Sequence, residues 1–297
     1  MQNKNTITTL VVCIALLAVI AAAAGIFTNQ GSGQYEFKTI HDQSVTIYGK
    51  GLYQHMSADV AIQGIAQDYV TLFLSIPLLL LSLFWARRGS LKGKFVLAGT
   101  IGYIFLTYLF YMNMAMYNAL FLIYVSLTGL TFFALVLTLL SININQLPQV
   151  FSKLVPTKFI GGFLIFNASC IALLWLSVIV PPLIDKTIVP LSVQHYTTLT
   201  VQAFDLSLFL PISFVSGLLL IKKHKFGFLM APVYLVFLSL LMTALIAKIV
   251  AMAFAGVNVV PAIVIIPCIA LVSIGCVFIL INNINRTNNY GNFKNSI

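Results

Sequence analysis

Tyr196 to Lys223 reads YTTLTVQAFDLSLFLPISFVSGLLLIKK, and its order of residue types decides the fold. An acid, Asp205, opens an apolar run that Pro211 interrupts and Lys222 and Lys223 close. Lipid offers no partner to free backbone groups, so an apolar run of this length is a helix. A second stretch has the same layout: Gln67 and Asp68, an apolar run holding Pro77, then Arg87 and Arg88. A hydrocarbon core about 30 Å thick needs about 20 helical residues. Runs of that size lie near 7–27, 69–86, 95–114, 117–141, 159–181, 203–221, 228–250 and 259–282. The expected fold is all-α, a polytopic membrane helix bundle with eight transmembrane helices, forming one integral membrane domain over residues 1–297.

Composition agrees. Of 297 residues, 60% are hydrophobic and 7% charged, against about 25% charged in soluble domains. A net charge of +10 would suggest nucleic acid in a soluble chain. Here the basic residues sit in short loops between apolar runs, where they act as orientation signals and headgroup contacts. Membrane lipids are the expected partners, and nucleic acid is not. The first run follows Lys4 and reaches Ala22-Ala23-Ala24, as a signal peptide would. Its apolar stretch exceeds the roughly 7–15 residues of a signal core, so it reads as a retained helix. Cys13, Cys170, Cys268 and Cys276 all lie inside apolar runs without knuckle spacing, so no disulfide and no metal is expected.

Orientation follows from the basic residues. One side holds Lys4, Arg87, Arg88, Lys92, Lys94, Lys153, Lys158, Lys222, Lys223, Lys225, Arg286 and Lys294; the other holds Lys38, Lys50, Lys186 and Lys248, with all six acids. The positive-inside rule then puts both termini in the cytoplasm of a cell (plasma or inner) membrane. The long outer loop is 28–67. Rough alternation from Phe37 to Tyr48 around His41-Asp42-Gln43-Ser44 reads as a short hairpin. The paired glycines of Tyr48-Gly49-Lys50-Gly51-Leu52-Tyr53 read as a backbone bend, not a phosphate cradle. A second outer loop, 182–202, carries Pro190 and His195.

The two acid-led runs also suggest a parallel 4+4 internal repeat, with halves 1–146 and 147–297. Helices 4 and 8 align at an offset of 140: Asn118 falls on Asn258, and Asn143-Ile144-Asn145 on Asn283-Ile284-Asn285.

Candidate site residues come from helical spacing. Asp68 is 19 residues from Arg87, roughly 28 Å along a helix, which places it at the outer boundary. Asp205, 17 residues from Lys222, lies at or slightly inside that boundary. Below Asp68, Thr71, Ser75 and Ser82 share its stripe; Gln202, Asp205 and Ser216 share another. Pro77 and Pro211 leave the Phe73 and Ser207 carbonyls without their usual donors and predict kinks. Helix 3 presents Thr100, Tyr103, Thr107 and Tyr111 on one face, and helix 4 a seam of Tyr117, Tyr124, Thr128, Thr131 and Thr138. Lys248 falls near the outer surface, either snorkelling to headgroups or pairing with Asp68 or Asp205. The doubled-four layout is similar to that of heme A synthases, but their histidine set is missing here, so haem and other cofactors are not expected. Walker, GxSxG and HExxH signatures are absent as well.

Several stretches together resemble an uncharacterised family of bacterial eight-helix integral membrane proteins. They are Tyr48 to Tyr53, Gln67-Asp68 running to Ala86-Arg87-Arg88-Gly89-Ser90, Tyr117-Asn118-Ala119-Leu120-Phe121-Leu122 with Tyr124, and Tyr196-Thr197-Thr198-Leu199 leading to Asp205. The resemblance covers nearly the whole chain and implies the fold, not an activity.

The leading expectation is binding or transport of a small molecule or ion. The site would be an outward-facing polar cavity between helices 2, 3, 6 and 7, lined by Asp68, Asp205, Lys248, Gln202, Tyr103 and Tyr111. The alternatives are a sensor or assembly partner using 28–67, and an enzyme at the outer leaflet pairing Asp68 or Asp205 with His55 or His195.

Overall fold

The computed structural model describes residues 3–114, 116–187 and 189–284. Asn285, Arg286 and Lys294, used in the repeat and orientation readings, lie outside the described residues.

Among the described residues, eight helices are long and apolar enough to cross a membrane: α1 Lys4–Phe27, α2 Ala58–Arg87, α3 Leu91–Met114, α4 Phe121–Leu140, α5 Thr157–Ile184, α6 Thr200–Ile221, α7 Lys225–Phe254 and α8 Ala262–Asn282. The chain is a multi-pass, all-α membrane protein. Between α1 and α2, β1 (Tyr35–Lys38) and β2 (Ser44–Ile47) pair antiparallel, with Phe37 opposite Val45. They form the hairpin expected from alternation, and below we call its side of the bundle the hairpin end and the opposite side the basic end.

Several boundaries move for physical reasons. The second helix starts at Ala58, not near 69. Ser57 stands at its N-cap without a side-chain cap bond, and Asp59 lies in its first turn, where the helix dipole favours an acid. Ala61, Gly64, Ala66 and Gln67 face inward, so this polar-looking segment is helix stabilised by packing, not by hydropathy. Asp68 is therefore a mid-helix residue. The fourth helix starts late, because Asn118 Oδ1 accepts from the Leu120 N–H at 2.9 Å and holds a turn. At the basic end Lys94 Nζ donates to the Ser141 carbonyl at 2.7 Å, capping the C-terminus of α4.

Two thirds (67%) of α3's apolar window is buried, against 17% of α5's, which puts α3 at the centre and α5 at the rim. The third helix packs on α2, α4 and α7; α7 also packs on α2, α6 and α8; α1 packs on α2 and α4; α5 packs chiefly on α6. Lipid gives apolar side chains no reason to leave it, so small residues set these contacts. At Gly161 and Gly217 an added Cβ on either would sit 2.5 Å from the other's carbonyl oxygen, so the α5 and α6 backbones touch.

The irregularity before each proline is a π turn: Thr71–Ser75 before Ile76-Pro77, and Asp205–Phe209 before Leu210-Pro211. The Ile76 N–H bonds the Thr71 carbonyl and the Leu210 N–H the Asp205 carbonyl, each five residues back. Widening the turn relieves the clash of a proline ring with the carbonyl four residues before it.

Pro77 and Pro211 are 134 residues apart, and the same spacing relates their surroundings. Buried Ile76, Leu79, Ser82, Leu83 and Ala86 correspond to buried Leu210, Ser213, Ser216, Gly217 and Leu220. Gly89 and Lys223 both take positive φ, 85° and 52°, just past the helix ends. An added Cβ would meet Ala86 N at 2.7 Å from Gly93 and Leu220 N at 2.3 Å from Gly227. In this register Gln202 corresponds to Asp68, while Asp205 corresponds to Thr71, one turn nearer the basic end. The spacing of 140 at α4 and α8 exceeds this by six because α7 has 30 residues and α3 has 24.

The hairpin is held down by the second loop. His41 Nε2 donates to the Val189 carbonyl at 2.9 Å, Gln194 Nε2 donates to Asp59 Oδ2 at 3.2 Å, and the Ser57 N–H donates to Tyr196 Oη at 3.3 Å. His195 lies edge-on to Phe37 and against Tyr196, with ring centroids 5.8 and 4.2 Å away. Both its ring nitrogens are sealed from solvent, and neither makes a well-formed hydrogen bond among the described residues. Burial lowers the pKa of His195 below its ordinary 6.5, the His55 backbone pulling weakly the other way. The docked loops thus disfavour the protonated ring. Their docking is at full strength above pH 6.5 and weakens as pH falls through the lowered value. Hydrogen exchange across 35–47 and 191–196 should accelerate on acidification, and His195→Phe, which keeps the aromatic packing, should flatten that dependence.

Candidate functional site

Asp68 is fully buried (0% exposed). The π turn just below it and the inward-packed segment above it aim its carboxyl at α1 and α3, under the hairpin end. Tyr53 Oη donates to Asp68 Oδ2. Tyr111 Oη lies 3.2 Å from Oδ1 and 3.0 Å from the Gly64 carbonyl. A buried ionised carboxyl without a paired cation is costly, so a carboxyl in this setting is an expensive feature. Among the described residues the ion pair formed is Lys38–Asp42, on the exposed hairpin; none reaches Asp68. Lys248, partly buried on α7, makes no ion pair with it.

Backbone geometry in the loop seats Tyr53. Gly51 takes φ 56° against the Thr28 carbonyl, where a Cβ would come within 2.1 Å. Its N–H donates to the Gln30 carbonyl at 2.6 Å, and the Leu52 N–H donates to Thr28 Oγ1 at 2.9 Å. These bonds tie the single turn Gly51–Tyr53 to the end of α1 and turn the phenol inward. Burial pushes the Tyr53 hydroxyl well above the ordinary phenol value, the Asp68 carboxylate adding to it, so Tyr53 keeps its proton and remains a donor.

The surrounding wall is aromatic. Tyr111 packs on Tyr53, Tyr108 and Tyr124 at centroid distances of 6.2, 5.8 and 5.6 Å. Tyr108 Oη reaches the Ala18 carbonyl at 3.4 Å. Tyr124 Oη, on a side chain 1% exposed, makes no well-formed hydrogen bond among the described residues. One turn away, Gln67 Nε2 donates to Tyr103 Oη at 2.7 Å and to Thr107 Oγ1 at 2.9 Å, leaving Gln67 Oε1 unpartnered. The Asp68–Thr71–Ser75–Ser82 stripe, fully buried throughout, thus belongs to the same polar seam as the Thr100–Tyr103–Thr107–Tyr111 stripe of α3.

Asp68, Tyr103 and Tyr111 are brought together, with Lys248 at a distance. Asp205 is elsewhere: partly buried, it accepts from Trp175 Nε1 of α5 at 2.8 Å, with partly buried Gln202 on the turn above. Beside it, α5 and α6 leave a lateral hollow of about 220 Å³ lined by Ala168, Ala172, Leu206 and Phe214. The two acids therefore stand in separate surroundings. Among the described residues no histidine is hydrogen-bonded to either acid, and no group of His, Cys, Asp and Glu is arranged to hold a metal.

Sequence reasoning missed Gly25, Tyr53 and Tyr108 as members of the site. The signal for Tyr53 was the Gly-Lys-Gly bend that precedes it; for Gly25 there was none beyond a glycine ending a run of alanines. Compared with family models, curated proteins and solved structures, the chain gives no match.

A Cβ on Gly25 would lie 1.8 Å from Asp68 Oδ2 and 2.9 Å from Tyr53 Oη. Gly25→Ala should displace the carboxyl and cost about 1–3 kcal/mol, as overpacking does. A lowered thermal unfolding midpoint in detergent would register it. Gly129→Ala, with nothing within 4 Å of the added carbon, should be near neutral.

Proposed function

We propose that this membrane protein binds and passes a small molecule or ion through a closed site centred on Asp68, entered from the hairpin end. The observation that carries this reading is a fully buried carboxyl held by hydroxyls from two independent elements, the Gly51–Tyr53 turn and α3, with no cation paired to it among the described residues. A purely structural acid is served better by an arginine or lysine partner; one held only by tyrosines can be released when the loop lifts. The site lies between α1, α2 and α3, closed by the loop and facing α7, so it is narrower than a cavity among helices 2, 3, 6 and 7. In this proposal Asp205 and Gln202 belong to a second, more open position beside Trp175.

The correspondences at a spacing of 134 support a four-helix duplication in which the first half keeps the closed acidic site. The basic turns at the end opposite the hairpin support cytoplasmic termini and an outward-facing hairpin.

Access can be tested with Asp68→Cys in a background lacking Cys13, Cys170, Cys268 and Cys276. An impermeant thiol reagent applied from the hairpin side should label it slowly. Tyr53→Ala should speed labelling about tenfold or more, since it removes the buried ring that packs on Tyr111 over position 68 and each 1.4 kcal/mol of lost closure is tenfold. Labelling at the same rate with or without Tyr53 would remove the loop from the entry path.

A further inference from the structure

We propose that the ligand held at Asp68 in this closed arrangement is a proton, carried on Oδ1 of a neutral carboxylic acid. The proposal rests on the reading of Asp68 as the functional centre and names what that centre holds.

The donors and acceptors decide it. Tyr53 Oη has one proton and gives it to Asp68 Oδ2. Tyr111 Oη also has one proton but two oxygens in reach, the Gly64 carbonyl at 3.0 Å and Asp68 Oδ1 at 3.2 Å. With Asp68 ionised, the Tyr111 hydroxyl lies nearer the Gly64 carbonyl than Oδ1, the reverse of what a charged acceptor draws, and a net charge stays buried with no ion pair among the described residues. With a proton on Oδ1, the set closes: Oδ1–H donates to Tyr111 Oη, Tyr111 donates to the nearer Gly64 carbonyl, and Tyr53 donates to Oδ2. Three protons then meet three acceptors, and no charge remains.

A hard cation fits this arrangement poorly. Tyr53 Oη is already in hydrogen-bond contact with Oδ2, and Gly25 is the one residue small enough to let the carboxyl sit there. Oxygen ligands packed this closely leave a proton as the species that needs no further volume. Tyr124 closes the aromatic wall behind Tyr111, its ring packing on Tyr108 and Tyr111 at 5.9 and 5.6 Å.

The exchange step balances simply. When the Gly51–Tyr53 turn lifts, Tyr53 withdraws its hydrogen bond from Oδ2 and water enters from the hairpin end. The Oδ1–H bond breaks, its proton leaves to that water as hydronium, and the carboxylate left behind is solvated by the water that has entered. Rebinding reverses each step.

Infrared difference spectra between wild type and Asp68→Asn, in nanodiscs, read the proton directly. The expected result is a carbonyl stretch of a protonated carboxyl that shifts in heavy water, is absent in Asp68→Asn, and moves in Tyr111→Phe, which removes the acceptor on Oδ1. An Asp68-dependent carboxylate stretch in its place, or thermal stabilisation by sodium or potassium chloride that Asp68→Asn abolishes, would overturn the proposal. Should Asp68→Asn not fold, the band shift between wild type and Tyr111→Phe decides alone. The two levels of the reading fail separately. A protonated band with Asp68→Cys unreactive even in the Tyr53→Ala background retains the proton and refutes the site; reactive cysteine without the band retains the site and refutes the proton.

Discussion

The contact between Tyr53 and Asp68 joins two parts that otherwise have little reason to hold one another. One is a loop folded by backbone bonds at the hairpin end; the other is a helix kept in place by lipid and by its neighbours. A buried carboxyl is tolerated only while its oxygens are satisfied, so the bundle needs the loop closed. The loop needs the bundle too, because its single turn has no core beyond the few residues it packs on α2 and on Tyr111 of α3. Gly25 and Gly51 serve the same contact from opposite sides, one by making room for the carboxyl and the other by turning the chain that delivers the phenol.

How far the sequence speaks depends on whether a residue's neighbours lie on its own helix. Thr71, Ser75 and Ser82 fall below Asp68 by helical periodicity, and Thr107 and Tyr111 fall in line with Tyr103; these stripes could be read directly and are buried as stripes should be. The hairpin was legible from alternation. Periodicity does not say which neighbouring helix a stripe meets. It could not place Trp175 against Asp205 or leave Lys248 unpaired, nor bring Tyr53 back over Asp68 from 15 residues upstream. The start of α2 was obscured because inward-facing polar residues lower hydropathy while packing keeps the segment helical.

The proline-centred register also changes how the two acids compare. By residue type Asp68 and Asp205 look equivalent; by backbone geometry they differ by three residues. That single turn separates a carboxyl roofed by a loop from one beside an open hollow between α5 and α6. In the proposed duplication, one half has enclosed its acid and the other has left its own accessible from the side.

The widened turn of α2 holds more chain per revolution than an ordinary helix. Were Thr71–Ser75 to tighten to α geometry, everything above it would swivel by about 100° relative to the part below, the angle one residue subtends. Asp68 would be carried off Tyr111 and away from α1 without any helix sliding through the membrane. A proline fixed underneath and a spare residue above it make a swivel joint, placed directly beneath the acid.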